Sequence, residues 1–171
     1  MFSAPRRRGG EARKPSLPWT LAIVSLGLFM TTLDNLVVTT ALPSIRRSLG
    51  SSIQSLEWTV NAYTLTFAVL LLTGAALGER FGRRRMFVIG LSVFTAASAG
   101  AALSASTDAL VAARALQGLG AAVVLPLTLT LLSEAVPPAR RGMALGIWGG
   151  VSGLGVAIGP LIGGAVVSGI S

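Results

Sequence analysis

The chain has 171 residues, of which 52% are hydrophobic and only 12% charged, about half the charged share of an ordinary soluble domain. With a mean hydropathy of +0.74, too few charges remain to cover a soluble fold of this size, and the composition points to a membrane protein. The absence of cysteine and histidine excludes a disulfide, a Cys/His zinc site, a Ser–His–Asp or Cys–His triad and a histidine proton shuttle.

In chain order, residues 1–18 carry Pro5, Pro15, Pro18, Gly9, Gly10 and five cations, the composition of a disordered basic tail. A cleaved signal peptide fits poorly, because the next apolar run is too long and contains an acid. Five apolar runs follow, at 19–42, 58–77, 86–106, 109–132 and 143–170. Each has the ~20 residues needed to cross a bilayer as a helix. The expected fold is therefore all-α and polytopic, with five transmembrane helices and short loops. The three residues 107–109 predict a tight antiparallel pair of helices.

The cations set an orientation. Arg6, Arg7, Arg8, Arg13, Lys14, Arg80, Arg83, Arg84, Arg85, Arg140 and Arg141 fall on one side of the alternating spans, and only Arg46 and Arg47 on the other. The positive-inside bias predicts a multi-pass protein of the cell membrane with a cytoplasmic N-terminus and residue 171 on the outer side. Most of the net charge of +8 is thus topological. The basic tail lacks interleaved aromatics or a folded reader module, so no nucleic-acid partner is expected.

Two charges lie within the runs, Asp34 and Arg114. A carboxylate on a lipid-facing helix costs about 2.5–3.5 kcal/mol on insertion scales, so a chain keeps one where it faces protein or water. Thr31, Asp34, Asn35 and Thr39 share one arc of a helix with Gly27, the pattern of a cavity wall. Counting helical rise from the outer ends puts Asp34 and Arg114 at similar depth, with Gln117 on the arginine's face. Two readings stay open: a protonatable acid governed by burial and a guanidinium, or a static pair that orients two helices. Gln117 is a further candidate for lining polar space, as are Asn61, Tyr63 and Thr64, for which helix-packing hydrogen bonds are the alternative. Trp19 and Trp58 fall at expected interfaces, and Trp148 sits deeper, as packing or as a substrate contact.

Gly78 and Gly82 permit tight turning between the second and third spans. The fifth span and its entry hold ten glycines at recurring four-residue spacings, 142/146/150, 149/153 and 155/159/163, giving faces open to close helix approach. Pro160 predicts a bend. No G-x-x-x-x-G-K-[ST] occurs, so no ATP-driven step is assigned.

Four segments together resemble the major facilitator superfamily, in particular its fourteen-helix drug:proton antiporter branch. They are LDNLVVTTALP at 33–43, AALGERFGRRR at 75–85, RALQGLGAA at 114–122 and GVAIGPLIGG at 155–164. Ala75 stands where the family usually has glycine, and Glu79 where it usually has aspartate. The resemblance implies an N-terminal part of a secondary transporter that exchanges protons for amphipathic organic compounds by alternating access. It implies proton coupling through Asp34 and Arg114, and a conformational latch at Glu79, Arg80, Gly82 and Arg83, with Arg84 and Arg85 as anchors. It also implies an exporter-type fifth-helix motif at Gly155, Gly159, Pro160, Gly163 and Gly164. No cofactor, metal or enzyme activity is implied. The partners are a small-molecule substrate, protons, the bilayer and the remaining helices of the same carrier, because the pattern stops one helix short of a six-helix half. The alternative is a truncated or small membrane protein without transport activity of its own, acting by helix–helix association.

Overall fold

A computed structural model describes residues 17–169, with side chains from 18 to 165. Residues 1–16 of the expected tail lie outside the described residues. The described chain forms five long helices: α1 (Leu17–Leu49), α2 (Ile53–Phe81), α3 (Arg83–Ala102), α4 (Thr107–Ala135) and α5 (Arg141–Gly169). A single 3-10 turn, Pro138–Arg140, precedes α5. All five helices are long and apolar enough to cross a membrane.

The helices outrun most of the apolar runs because their polar ends are helical too. α1 starts inside the expected tail and continues through Pro43 to Leu49, where Arg46 and Arg47 oppose the negative end of its dipole. Gly50 then turns the chain at φ +61°. The Ser52 side chain caps α2 by accepting from the Ser55 amide, and Ser106 caps α4 by accepting from the Ala109 amide, each satisfying an otherwise orphan donor. The α3–α4 connection therefore lies at 103–106 rather than at 107–109, and Asp108 sits in the first turn of α4, a favourable place for an acid.

The turn between α2 and α3 narrows to one residue. Gly82 takes φ +96° and nothing lies within 4 Å of a Cβ built there, so conformation alone favours glycine at this position. Gly78, in contrast, is no turn residue. It is helical, and an added Cβ would collide with the Leu127 side chain.

α4 is the centre of the assembly. In its most apolar stretch 61% of residues are buried, against 11–22% in the other four helices. A helix apolar on all sides is one surrounded by protein, and small residues let its neighbours approach. On the α2 side, a Cβ on Gly74 would meet the Ala122 backbone, and one on Gly118 the Tyr63 carbonyl. On the α3 side, Gly120 lies against the Gly90 carbonyl and Phe94. Phe87, Val123, Val124 and Leu127 fill the layer between α3 and α4. Val24, Leu132, Val136 and Ala144 close the end where α1, α4 and α5 converge.

α5 packs chiefly on α1. Only one of its glycine rows is occupied there: Gly155, Gly159 and Gly163 lie under Thr32, Leu36 and Thr40. Both sets repeat every four residues, so one helix stacks on the other in register. Gly142, Gly146, Gly149, Gly150, Gly153 and Gly164 have open space above them. α5 continues helically through Pro160 to Gly169.

Gly118→Val is expected to destabilise the purified chain in detergent by about 1–3 kcal/mol, the usual cost of overpacking. Gly150→Ala is expected to change it by less than about 1 kcal/mol. Unfolding followed by circular dichroism separates the two, and equal losses would contradict the packing described.

Candidate functional site

The two charges found within the apolar runs meet. Arg114, on α4, is fully buried, and its Nη1 donates to Asp34 Oδ2 on α1 at 2.5 Å. The Asp34 side chain keeps 18% exposure. Their similar depth, expected from helical rise, is realised as direct contact.

All three nitrogens of the guanidinium are engaged. Nη1 also donates to Gln117 Oε1 at 2.9 Å, Nη2 to Asn35 Oδ1 at 3.2 Å and Nε to the Thr59 carbonyl at 3.3 Å. The Tyr63 ring lies under its plane, 4.4 Å from the central carbon, a cation–π arrangement. Gln117 in turn donates from Nε2 to Asp34 Oδ1 and to Ser98 Oγ, both at 2.7 Å. The Ser98 hydroxyl makes a longer contact of 3.5 Å to Asp34 Oδ1. Four helices thus supply one polar cluster, and among the described residues no buried side-chain polar atom lacks a partner. Such closure is what makes a buried charge tolerable.

A cavity of about 480 Å³ opens beside this cluster. Thr31, Asn35 and Thr39 of α1 line it, as the helical arc predicts, with Thr32 and Leu36. Tyr63, Thr64 and Phe67 of α2, Ala121 and Leu125 of α4 and Val156 of α5 complete the wall. Two of the lining expectations do not hold. Gln117 is fully buried inside the polar cluster rather than on the wall. Asn61 is exposed and lies outside the lining.

The turn motif assembles differently from its sequence. Arg83 pairs with Glu134 at the end of α4 and lies 3.8 Å from Glu79. Glu134 is a functional candidate missed in the sequence; its signal is an acid ending the fourth span on the side where Arg83 begins the third. Arg80 lies over the Phe81 ring instead. Gly82 supplies the positive φ that separates the two helices. Trp148 is a packing residue, donating from Nε1 to Thr128 Oγ1 at 3.2 Å and sitting against the cluster of Val24 and Leu132.

Five apolar helices around a buried, multiply bonded ion pair, with a mostly apolar cavity beside it, mark a multi-pass membrane protein. A family match over residues 24–171 carries this further: the chain belongs to the Major Facilitator Superfamily. It is 44% identical over 151 residues to the tetracenomycin C resistance and export protein of Streptomyces glaucescens, covering 88% of this chain and 28% of that protein. It is 45% identical over 157 residues to a cephamycin export protein of Amycolatopsis lactamdurans, covering 91% and 32%. With a multidrug resistance protein of Mycobacterium tuberculosis it shares 43% over 149 residues, 86% and 28%. The chain therefore spans about 28–32% of the length of these relatives.

Gln117→Leu is expected to cost about 1–3 kcal/mol, since it leaves Asp34 and Arg114 each short of a partner in a buried setting. Asn35→Ala, at the cavity wall where water can replace the lost acceptor, is expected to cost less than half of that. Thermal unfolding in detergent compares them, and the reverse order would contradict the burial of the cluster.

Proposed function

We propose that the chain provides the first five helices of a longer proton-coupled antiporter that exports amphipathic drugs or similar small organic molecules, in the fourteen-helix branch of the family. The observation that carries the reading is the Asp34–Arg114 pair set beside a cavity lined by Thr31, Asn35 and Thr39. The names of the relatives support export; the proton coupling rests on the acid.

The geometry supports a specific sequence of events. Ionised Asp34 is held by Arg114 on one oxygen and Gln117 on the other. A proton arriving on Asp34 removes the charge that Arg114 faces and weakens their bond. Arg114 stays fixed by Gln117 on its own helix and by the Thr59 carbonyl and the Tyr63 ring of α2, which leaves the neutral Asn35 contact as its remaining bond to α1. The loosened partner is therefore α1, which carries one cavity wall and seats the α5 glycine row. Protonation at one site thus biases the position of the α1–α5 pair.

At the far end, Glu79, Arg80, Gly82 and Arg83, with Glu134, act as the latch that biases the inward and outward states. The one-residue turn and the Arg83–Glu134 pair support this role. The cation bias supports a cell-membrane protein whose N-terminus is cytoplasmic and whose residue 171 lies outside. The exporter-type motif corresponds to the occupied row at Gly155, Gly159 and Gly163, with Pro160 beside it. The partners are protons, substrate, bilayer and the remaining helices; no cofactor, metal, nucleic acid or enzyme chemistry enters. The open glycine positions on α5 equally suit a small membrane protein acting only through helix association, and efflux measurements decide between the two.

In cells expressing the longer carrier, Asp34→Asn is expected to abolish pH-driven dye efflux while membrane insertion stays normal. The 171-residue chain alone is expected to give no efflux. Full proton coupling retained in Asp34→Asn would overturn the proposal.

A further inference from the structure

A carboxyl group that alternates between charged and neutral needs different partners in its two states. The ionised form accepts hydrogen bonds; the neutral form must also donate one. Around Asp34 nearly every neighbour is suited only to the ionised form. Arg114 and the Gln117 amide nitrogen are donors with nothing to accept a proton. The two nearby amide oxygens serve the guanidinium, Gln117 Oε1 accepting from Arg114 Nη1 and Asn35 Oδ1 from Arg114 Nη2, and neither is hydrogen-bonded to the carboxyl group. One group is different: Ser98 Oγ, on α3, 3.5 Å from Asp34 Oδ1. Among the described residues it is the only hydroxyl within hydrogen-bond distance of this carboxylate.

Resting on the proton-carrier reading of Asp34, we propose that Ser98 is the positioning residue for the proton-loaded state, accepting the hydrogen bond that protonated Asp34 must give. In the ionised state Ser98 Oγ accepts from Gln117 Nε2 at 2.7 Å and reaches Asp34 only weakly, since 3.5 Å is at the limit of a hydrogen bond. When one proton adds to Oδ1, the direction of that contact reverses. Asp34 Oδ1–H donates to Ser98 Oγ, and the serine turns its own hydrogen to a main-chain carbonyl one helical turn back, as serines within helices do. The guanidinium keeps its proton, so the cluster passes from neutral to a single positive charge. α3 supplies no catalytic group here; it supplies the hydroxyl that makes the neutral acid affordable in a buried site.

The groups that bear on Asp34 are few. Among the described residues Arg114 on α4 is the only charge paired with it, the titratable Tyr63 on α2 lies against that guanidinium, and the apolar stretches of α3 and α5 bring no described charge to it. The sign of a change at Ser98 follows. Removing an acceptor used by the protonated form disfavours that form, whereas the weak 3.5 Å donation to the ionised form has little to lose.

The test uses the 171-residue chain in lipid vesicles and follows the infrared C=O band of protonated carboxyl groups through a pH titration, with Asp34→Asn identifying the band that belongs to Asp34. Ser98→Ala is expected to move the midpoint of that band down by about 0.5–1 pH unit, the equivalent of one ordinary hydrogen bond, and to raise its frequency. Ser98→Thr, which keeps the hydroxyl, is expected to restore both. A midpoint unchanged or raised in Ser98→Ala, with the Asp34 band present, overturns the role of Ser98 and leaves the proton-carrier reading standing. Absence of any titrating band sensitive to Asp34→Asn overturns both.

Discussion

A guanidinium with no exposure in the middle of a bundle is the constraint on which the rest of this structure depends. Arg114 cannot be deprotonated to escape its setting, and an unpaired buried charge costs several kcal/mol. Its nitrogens and its flat face must therefore find partners, and the helices are arranged so that all three nitrogens donate and one face meets an aromatic ring. α1 brings Asp34 and Asn35, α2 the Thr59 carbonyl and the Tyr63 ring, α4 itself Gln117, and α3 the Ser98 hydroxyl that steadies Gln117. Few relative positions of four helices satisfy so many directional bonds at once. In lipid, where apolar contact gives little preference between helices, such bonds and close small-residue packing set the register.

The packing follows the same logic. Gly118 and Gly120, within two turns of Arg114, let α2 and α3 approach closely enough for Tyr63 and Ser98 to reach the cluster. Gly74 extends that closeness along α2. On the other side, α1 is held by the ion pair and in turn holds α5 through Thr32, Leu36 and Thr40 on the glycine row. α5 has few other contacts with the bundle, so what moves α1 carries α5 with it. The cavity lies where these two helices meet α2 and α4. A chemical event at Asp34 thus has a short mechanical route to the cavity wall.

Much of this was legible in the sequence, for a physical reason. Charges inside apolar runs are costly enough to stand out, and the rise of 1.5 Å per residue fixed the depths of Asp34 and Arg114 before any packing was known. The arc of Thr31, Asn35 and Thr39 needed only the 100° step of a helix. Partners that depend on how helices rotate against each other were not legible. Ser98 lies among alanines in the third span, the Thr59 contribution is a main-chain carbonyl, and Asn61 turned out on an exposed face. Gly78 reads as a turn residue because conformational freedom and a missing side chain look alike in a sequence; only Leu127 lying over it tells them apart. Glu134 lies just past the fourth apolar run, and its pairing with Arg83 depends on how α3 and α4 pack.

The claim that the Asp34–Arg114 pair organises the bundle is tested most directly by a double-mutant cycle. Unfolding free energies would be measured in detergent for Asp34→Ala, Arg114→Met and the double variant. Asp34→Ala leaves a buried charge unpaired and is expected to cost about 3–5 kcal/mol. The double variant removes that charge, and is expected to lose less than the sum of the single losses by at least about 1 kcal/mol. Single losses that add to within about 0.5 kcal/mol would mean that the two residues act independently, and would contradict the claim.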